Sequence, residues 1–267
     1  RRTADAEGLL SLLTDRVDAA LIHSCPKLRA IANYAVGYDN IDLAAAAARG
    51  IAVGNTPDVL TDATADLAFA LLLAAARNLP QAAASVKAAD WLTWEPAQHL
   101  GFSVHGATLG IVGLGRIGRA VARRATGFEM TVLHTGRGGV PLLELLARSD
   151  FVSLHCPLTP ETRHLIDAAA LEQMRPTAIL INTARGPIVD QDALRVALAE
   201  GKVAGAALDV TDPEPLPADD PLLRAPNLIV VPHIGSATHP ARERMATLAV
   251  ENLLAALDGK PMPHQVD

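Results

Sequence analysis

Short aliphatic runs alternate along this chain with longer stretches whose apolar positions recur at helical spacing. Gly8 to Leu13, Leu28 to Ala32 and Ile51 to Val53 predict strands, with helices over Val17 to Cys25 and Leu43 to Arg49 between them. Pro26 closes the first helix, and Gly50 suits the residue just past the end of the second. Thr61 to Arg77 predicts a long Ala/Leu helix, broken at Asn78-Leu79-Pro80 and resumed to about Ala89. An irregular segment carrying both tryptophans, Trp91 and Trp94, runs on to Val104. Further strands are expected at Leu109 to Val112, Thr131 to Leu133, Phe151 to His155, Ala178 to Asn182, Ala204 to Leu208 and Leu228 to Val231. Helical stretches separate them, and Arg242 to Leu257 ends the pattern as an amphipathic helix. Such alternation implies an α/β protein with parallel sheets and right-handed crossovers.

Composition narrows this picture. At 267 residues the chain has room for one or two domains with a substantial core. Hydrophobic residues make up 50 % but aromatics only 3 %, so that core is built from Ala, Leu, Val and Ile. A net charge of -6 argues against nucleic acid as a partner, since binding it requires concentrated positive charge. Arg119, Arg123 and Arg124 lie at helical spacing and read as a solvated face. The apolar run Leu67 to Ala76 is about half of the ~20 residues that cross a bilayer, so no membrane partner is expected. Cys25 and Cys156 form no framework of paired spacings, which fits a reduced, cytoplasmic protein, and no metal site is expected.

Candidate chemistry begins at Gly113, Gly115 and Gly118, spaced G-x-G-x-x-G directly after a strand and at the head of a helix. In that context the first glycine permits a tight turn and the second lets backbone approach a phosphate. The third lets helix pack on strand, and the helix N-terminus offers N–H groups to a pyrophosphate. After the next strand, where an acidic residue would bind the ribose 2′-hydroxyl of NAD, the chain reads His134-Thr135-Gly136-Arg137. Arg137, helped by the Thr135 hydroxyl, suits a 2′-phosphate, so NADP(H) is the expected cofactor, with NAD(H) possible. Three later strand ends add polar groups. Arg185, within Asn182-Thr183-Ala184-Arg185-Gly186, can hold a planar carboxylate in bidentate fashion. Glu214 stands between Pro213 and Pro215, and His233 follows the last strand; a carboxylate beside a histidine favours its imidazolium form.

These segments together resemble the D-isomer-specific 2-hydroxyacid dehydrogenases, and within them the glyoxylate/hydroxypyruvate reductase branch. Besides the glycine turn, the motifs are Asn33 to Asp42, Trp91 to Pro96, His155 to Thr162, Asn182 to Asp190, Ala207 to Pro215 and Pro232 to Thr238. The resemblance implies two doubly wound parallel-sheet domains. One is a Rossmann nucleotide domain over residues 79–239, with a dimerisation arm at 79–104. The other is a smaller flavodoxin-like substrate domain over residues 1–78, completed by the helix at 240–267. It implies reduction of a small 2-oxo acid to a 2-hydroxy acid by hydride transfer, in a homodimer. Arg185 would anchor the substrate carboxylate, and Glu214 would pair with the proton donor His233. Val36 and Gly37 would assist through their N–H groups, Ser236 would touch the hydroxymethyl end, and Trp94 would reach a partner's site. The implied cofactor residues are Thr64, Gly113, Gly115, Arg116, Ile117, Gly118, Thr135, Arg137, Cys156, Pro157, Thr162, Thr183, Ala184, Asp209, His233 and Gly235.

Two departures from the family pattern stand out. A strand and helix of roughly 40 residues are expected ahead of Arg1, a substantial part of a domain. After Arg137 the chain runs almost at once into Pro141-Leu142-Leu143, so about a dozen residues, one loop–strand unit, are missing. That leaves either a nucleotide sheet one strand short or a partial sequence. Relatives acting on D-lactate, phosphoglycerate, phosphite or formate are the alternatives within the family. Phosphoglycerate enzymes often carry a further domain, and the formate branch pairs its histidine with an amide rather than a carboxylate. Nucleotide-binding relatives without catalytic activity, including corepressors that bind peptides, share the fold.

Overall fold

In the computed structural model, which describes residues 5–266, the predicted alternation closes into two parallel sheets. The chain opens with β1 (Gly8–Ser11), α1 (Ala19–Ser24), β2 (Ala30–Asn33), α2 (Leu43–Ala48) and β3 (Ala52–Gly54). Helices α3 (Thr61–Ala76) and α4 (Leu79–Lys87) lead through an irregular arm to β4 (Thr108–Val112) and α5 (Arg116–Thr126). Next come β5 (Thr131–His134), α6 (Leu142–Arg148), β6 (Phe151–Leu154), α7 (Ala168–Gln173) and β7 (Ile179–Asn182). The order ends with α8 (Gln191–Ala199), β8 (Gly205–Leu208), β9 (Leu228–Val230) and α9 (His239–Leu257). Among the described residues, no single helix is long and apolar enough to cross a membrane.

Two compact units form, one running Thr64–Gly235 and the other holding the described residues before Thr64 and after Gly235. The division therefore falls within the first turn of α3 and just after Gly235, not at 78/79 and 239/240. Packing is the reason: Ala65, Ala68, Leu72 and Ala76 of α3 are buried in the core of the larger unit.

In the smaller unit the sheet runs β1-β2-β3. Val17, Ile22, Ile41 and Ala46 pack with Ile31 and Val53 in one core. Helix α9 lies close against the sheet, since a Cβ on Gly8 would sit 2.9 Å from a Leu253 methyl. Thr238 accepts the Ala241 N–H and Pro240 sits in the first turn, so α9 starts three residues before the predicted Arg242. The same physics corrects the break after α3. Asn78 alone turns the chain in a left-handed conformation (φ 50°), while Leu79 and Pro80 already belong to α4.

In the larger unit the order is β5-β4-β6-β7-β8-β9, all parallel. Alternate strand residues serve opposite cores. Leu109, Ile111, Phe151, Ile179 and Ile181 join α3 and α5, while Val112, Val152, Leu154 and Leu180 join α6, α7 and α8. The strand order reverses between β4 and β6, the switch point at which such sheets bind ligands. A doubly wound nucleotide sheet runs 3-2-1-4-5-6, so the place beyond β5 corresponds to its third strand. Here β5 pairs only with β4 among the described residues, and the short Thr135–Pro141 link leads straight to α6. Among the described residues this sheet is thus one strand short of that order, and β5 is its edge.

Helix α6 must close the core without that extra unit, and it does so through Leu145 and Leu146, both fully buried. Leu145→Ala is expected to lower the free energy of unfolding by about 3 kcal/mol, read from urea denaturation, because the deleted side chain leaves a cavity.

Candidate active site

β4 delivers its C-terminus to the switch point, and glycine is required there by close approach. Gly113 has φ 96°, and a Cβ on it would come within 2.6 Å of the Cys156 nitrogen. A Cβ on Gly118 would fall on the Gly113 carbonyl, so the first turn of α5 rests directly on the turn before it. Gly115 is different: it is exposed, and nothing lies near the position of a Cβ. No side chain caps α5, whose first residues are Arg116 and Ile117. Thr135 braces this turn, its Oγ1 accepting the Gly113 N–H at 3.2 Å. Beyond it, Gly136 and Gly138 take positive φ values of 97° and 76°, which hold the exposed Arg137 at the tip of a tight loop.

The loop after β6 faces the same turn. Thr162 locks it, donating to the Pro157 carbonyl and accepting the Thr159 N–H, both at 2.7 Å. Burial pushes the Cys156 thiol above its ordinary range. Burial also pushes the His155 imidazole down to about 4, and its Nε2 lies 2.8 Å from Ser153 Oγ.

After β7, the buried Asn182 shapes the turn that carries Arg185. Its Oδ1 accepts the Ala184 N–H at 3.0 Å and its Nδ2 donates to the Arg185 carbonyl at 2.9 Å. After β8, the buried Asp209 gathers the histidine loop. Its carboxylate accepts the Ile234 N–H at 2.6 Å and the Gly235 N–H at 2.8 Å, and its carbonyl accepts the His233 N–H at 2.9 Å. Desolvation raises the Asp209 carboxyl above its ordinary range, opposed by those amides and by His233. His233 is left with φ 51°, and its Nδ1 lies 2.9 Å from Glu214 Oε1. Thr64 joins this end of the site: a Cβ on Gly235 would lie 3.1 Å from Asp209 Oδ2 and 3.4 Å from Thr64 Oγ1. The buried hydroxyls of Thr64 and Thr183 have no hydrogen-bond partner among the described residues. An uncapped helix N-terminus behind close-packed glycines, together with two orphaned buried hydroxyls, fits a dinucleotide.

Comparison with known proteins agrees with this geometry. Residues 69–235 match the model of the D-isomer specific 2-hydroxyacid dehydrogenase NAD binding domain. The chain belongs to this family. A glyoxylate reductase of Korarchaeum cryptofilum is 52 % identical over 279 residues, covering 100 % of this chain and 84 % of the relative. The alignment is longer than the 267-residue chain, so the relative has about a dozen residues that this chain lacks. A Thermus thermophilus protein of known crystal structure is 50 % identical with a TM-score of 0.94, covering 100 % of this chain and 88 % of that one. An NADPH-dependent glyoxylate/hydroxypyruvate reductase of Sinorhizobium meliloti, solved with NADP and malonate, is 36 % identical with a TM-score of 0.90. That match covers 99 % of this chain and 85 % of the solved one.

Most of the expected site residues of the larger unit thus fall into three groups. Glu214 and His233 form one contact, with Asp209, Gly235 and Thr64 beside His233. Arg185, Thr183 and Ala184 share the turn after β7, and the glycine turn, Thr135 and Cys156 meet at the switch point. Val36, Gly37 and Ser236 belong to the smaller unit. There the side chains of Asn55 and Asn33 hold the Val36 and Gly37 carbonyls, each at 2.8 Å. Trp94 is 77 % exposed on the arm after α4. Asn182 and Gly186 escaped the sequence reading, although both lie in a motif it quoted. A Cβ on Gly186 would fall on the Thr211 carbonyl, so the arginine turn touches the glutamate loop through bare backbone.

The His155 shift has a consequence for stability. The unfolded chain takes up a proton on this imidazole below about pH 6.5, whereas the folded protein does so only near 4. Stability is therefore full above pH 6.5 and falls towards pH 4, at up to about 1.4 kcal/mol per pH unit. In His155→Gln this part of the acid slope should disappear, as urea denaturation between pH 4 and 7.5 would measure.

Proposed function

We propose that this chain is an NADPH-preferring reductase that converts glyoxylate to glycolate and hydroxypyruvate to D-glycerate. The observation that carries the reading is the 2.9 Å contact between His233 Nδ1 and Glu214 Oε1, placed beside the orphaned hydroxyl of Thr64. The identity to named glyoxylate reductases supports it. When bound, a reduced nicotinamide supplies the hydride to the carbonyl carbon of the 2-oxo acid. Glu214 fixes the His233 ring through Nδ1, leaving Nε2 to deliver a proton to the developing alkoxide. One hydride and one proton together convert the ketone or aldehyde to the alcohol. Arg185 holds the substrate carboxylate, as a guanidinium fork is suited to do. The Val36 and Gly37 N–H groups serve the same carboxylate, and Ser236 meets the hydroxymethyl group of hydroxypyruvate.

The glycine turn and the α5 N-terminus hold the pyrophosphate, with Arg116 and Ile117 at the head of that helix and Pro157 and Thr162 on the opposing loop. Thr64, Thr183, Ala184, Asp209 and Gly235 hold the nicotinamide end. Arg137 and Thr135 bind the ribose 2′-phosphate; the exposed arginine at the loop tip and the lack of a carboxylate there support NADP(H) over NAD(H). The protein acts as a homodimer in the reducing cytoplasm. Leu92, Leu100 and Trp94 on the arm are 90 %, 71 % and 77 % exposed, an apolar surface suited to a second copy whose site Trp94 completes.

The wild-type protein is expected to oxidise NADPH with glyoxylate and with hydroxypyruvate. His233→Ala should lose about 1,000-fold in kcat while still binding NADPH in a fluorescence titration; near-normal turnover in that variant would remove the reading. Arg137→Ala should lower kcat/KM for NADPH by about tenfold and leave NADH unchanged. Equal efficiency with both cofactors before and after the substitution would exclude the proposed preference.

A further inference from the structure

Glu214 lies on a loop that solvent surrounds: Asp212, Pro213, Glu214 and Pro215 are all exposed. Its carboxylate nevertheless meets His233 with side-chain exposures of only 29 % and 23 %. Polar contacts on its backbone and side chains help to hold the loop. Thr211 Oγ1 donates to the Pro213 carbonyl at 2.9 Å. Arg163 pairs with the Asp212 side chain at 3.7 Å, an exposed ion pair of little strength.

The stronger grip comes from Gln191, the first residue of α8. Its Oε1 accepts the Asp212 N–H at 2.8 Å, and its Nε2 donates to the Asp212 carbonyl. Both backbone groups of one residue are thus bound by one side chain, as a neighbouring strand would bind them. A side-chain amide can do this from its two ends, whereas a carboxylate accepts without donating and a thioether does neither well. The grip starts from a fixed point: Asp190 caps α8, its carboxylate accepting the Ala193 N–H at 3.0 Å. Just upstream, Gly186 is packed on the Thr211 carbonyl. Asp212 is therefore bound two residues before Glu214, on the stretch already pressed against the arginine turn.

We propose that Gln191 is a positioning residue of the acid–base pair, which grips both backbone groups of Asp212 and so keeps Glu214 within hydrogen-bond distance of His233. This rests on the reading of Glu214 and His233 as that pair. Gln191→Met keeps the length of the side chain and removes both hydrogen bonds. In steady-state assays of the full chain with NADPH and glyoxylate, it is expected to lower kcat about tenfold. The KM for NADPH should stay within about twofold, since the nucleotide turn is untouched. Gln191→Glu, which keeps the acceptor, should lose less. In a Glu214→Gln background, Gln191→Met should cause no further loss, a coupling that a general loss of stability would not produce. Arg163→Ala should leave kcat unchanged. Independently of turnover, the downfield proton NMR signal of the His233 Nδ1–H bonded to Glu214 should be present in the wild type and lost in Gln191→Met. Unchanged kcat and an unchanged signal in Gln191→Met, or an equal loss in the Glu214→Gln background, would overturn the proposal. A wild type that shows the signal but reduces neither acid would instead overturn the functional reading and leave the positioning role standing.

Discussion

A single buried carboxylate at the end of β8 governs the histidine end of the candidate site. Asp209 receives two amides of the histidine loop on its carboxylate and a third on its carbonyl. Three successive N–H groups can converge on one residue only if the chain between them turns sharply, and His233 accordingly takes φ 51°. Such a backbone conformation is costly for a residue with a Cβ and persists where the surroundings over-determine it. Desolvation opposes the charge on Asp209, and the amides and His233 offset part of that cost. The histidine is therefore placed by backbone hydrogen bonds to a buried residue, while its glutamate partner approaches from a solvated loop.

The other walls are held by close approach of bare backbone. Gly113 against Cys156, Gly118 against the Gly113 carbonyl and Gly186 against the Thr211 carbonyl are contacts that any side chain would push apart. Each joins segments distant in sequence or turns the chain tightly on itself, so the loops after β4, β6, β7 and β8 meet with little freedom. Catalysis of proton and hydride transfer depends on such fixed geometry more than on any single strong bond. Glycine is thus as informative here as the charged residues.

The sheet of the larger unit ends on β5, with no further outer strand among the described residues. β5 is four residues long and its first residue, Thr131, is exposed, so the edge it leaves is short. Both cores of the sheet rest chiefly on β4, β6 and β7, with α6 supplying Leu145 and Leu146 where a longer crossover would otherwise lead. The glycine-rich loop Thr135–Val140 then closes by two local bonds, Gly139 N–H to Gly136 and Val140 N–H to His134, both 2.9 Å.

How much of this was legible in the sequence follows from the range of the interactions involved. Strand–helix alternation, the glycine turn and the run from Arg137 into Leu142 are local patterns, so the elements, the tight turn after β4 and the short link into α6 could be read directly. Element ends were less exact, because the Thr238 cap and the αL turn at Asn78 depend on backbone angles that a hydrophobic pattern does not encode. Residue types at strand ends, seen beside a family's motifs, singled out Arg185, Glu214 and His233. What only the tertiary structure decided was how those groups are held: Asp209 under the histidine loop, Asn182 within the arginine turn, and Gln191 on Asp212. The last joins residues 21 apart in sequence and the first residues 26 apart. Long-range hydrogen bonds of this kind carry no sequence period, and they exist only once the sheet has brought the ends of its strands together.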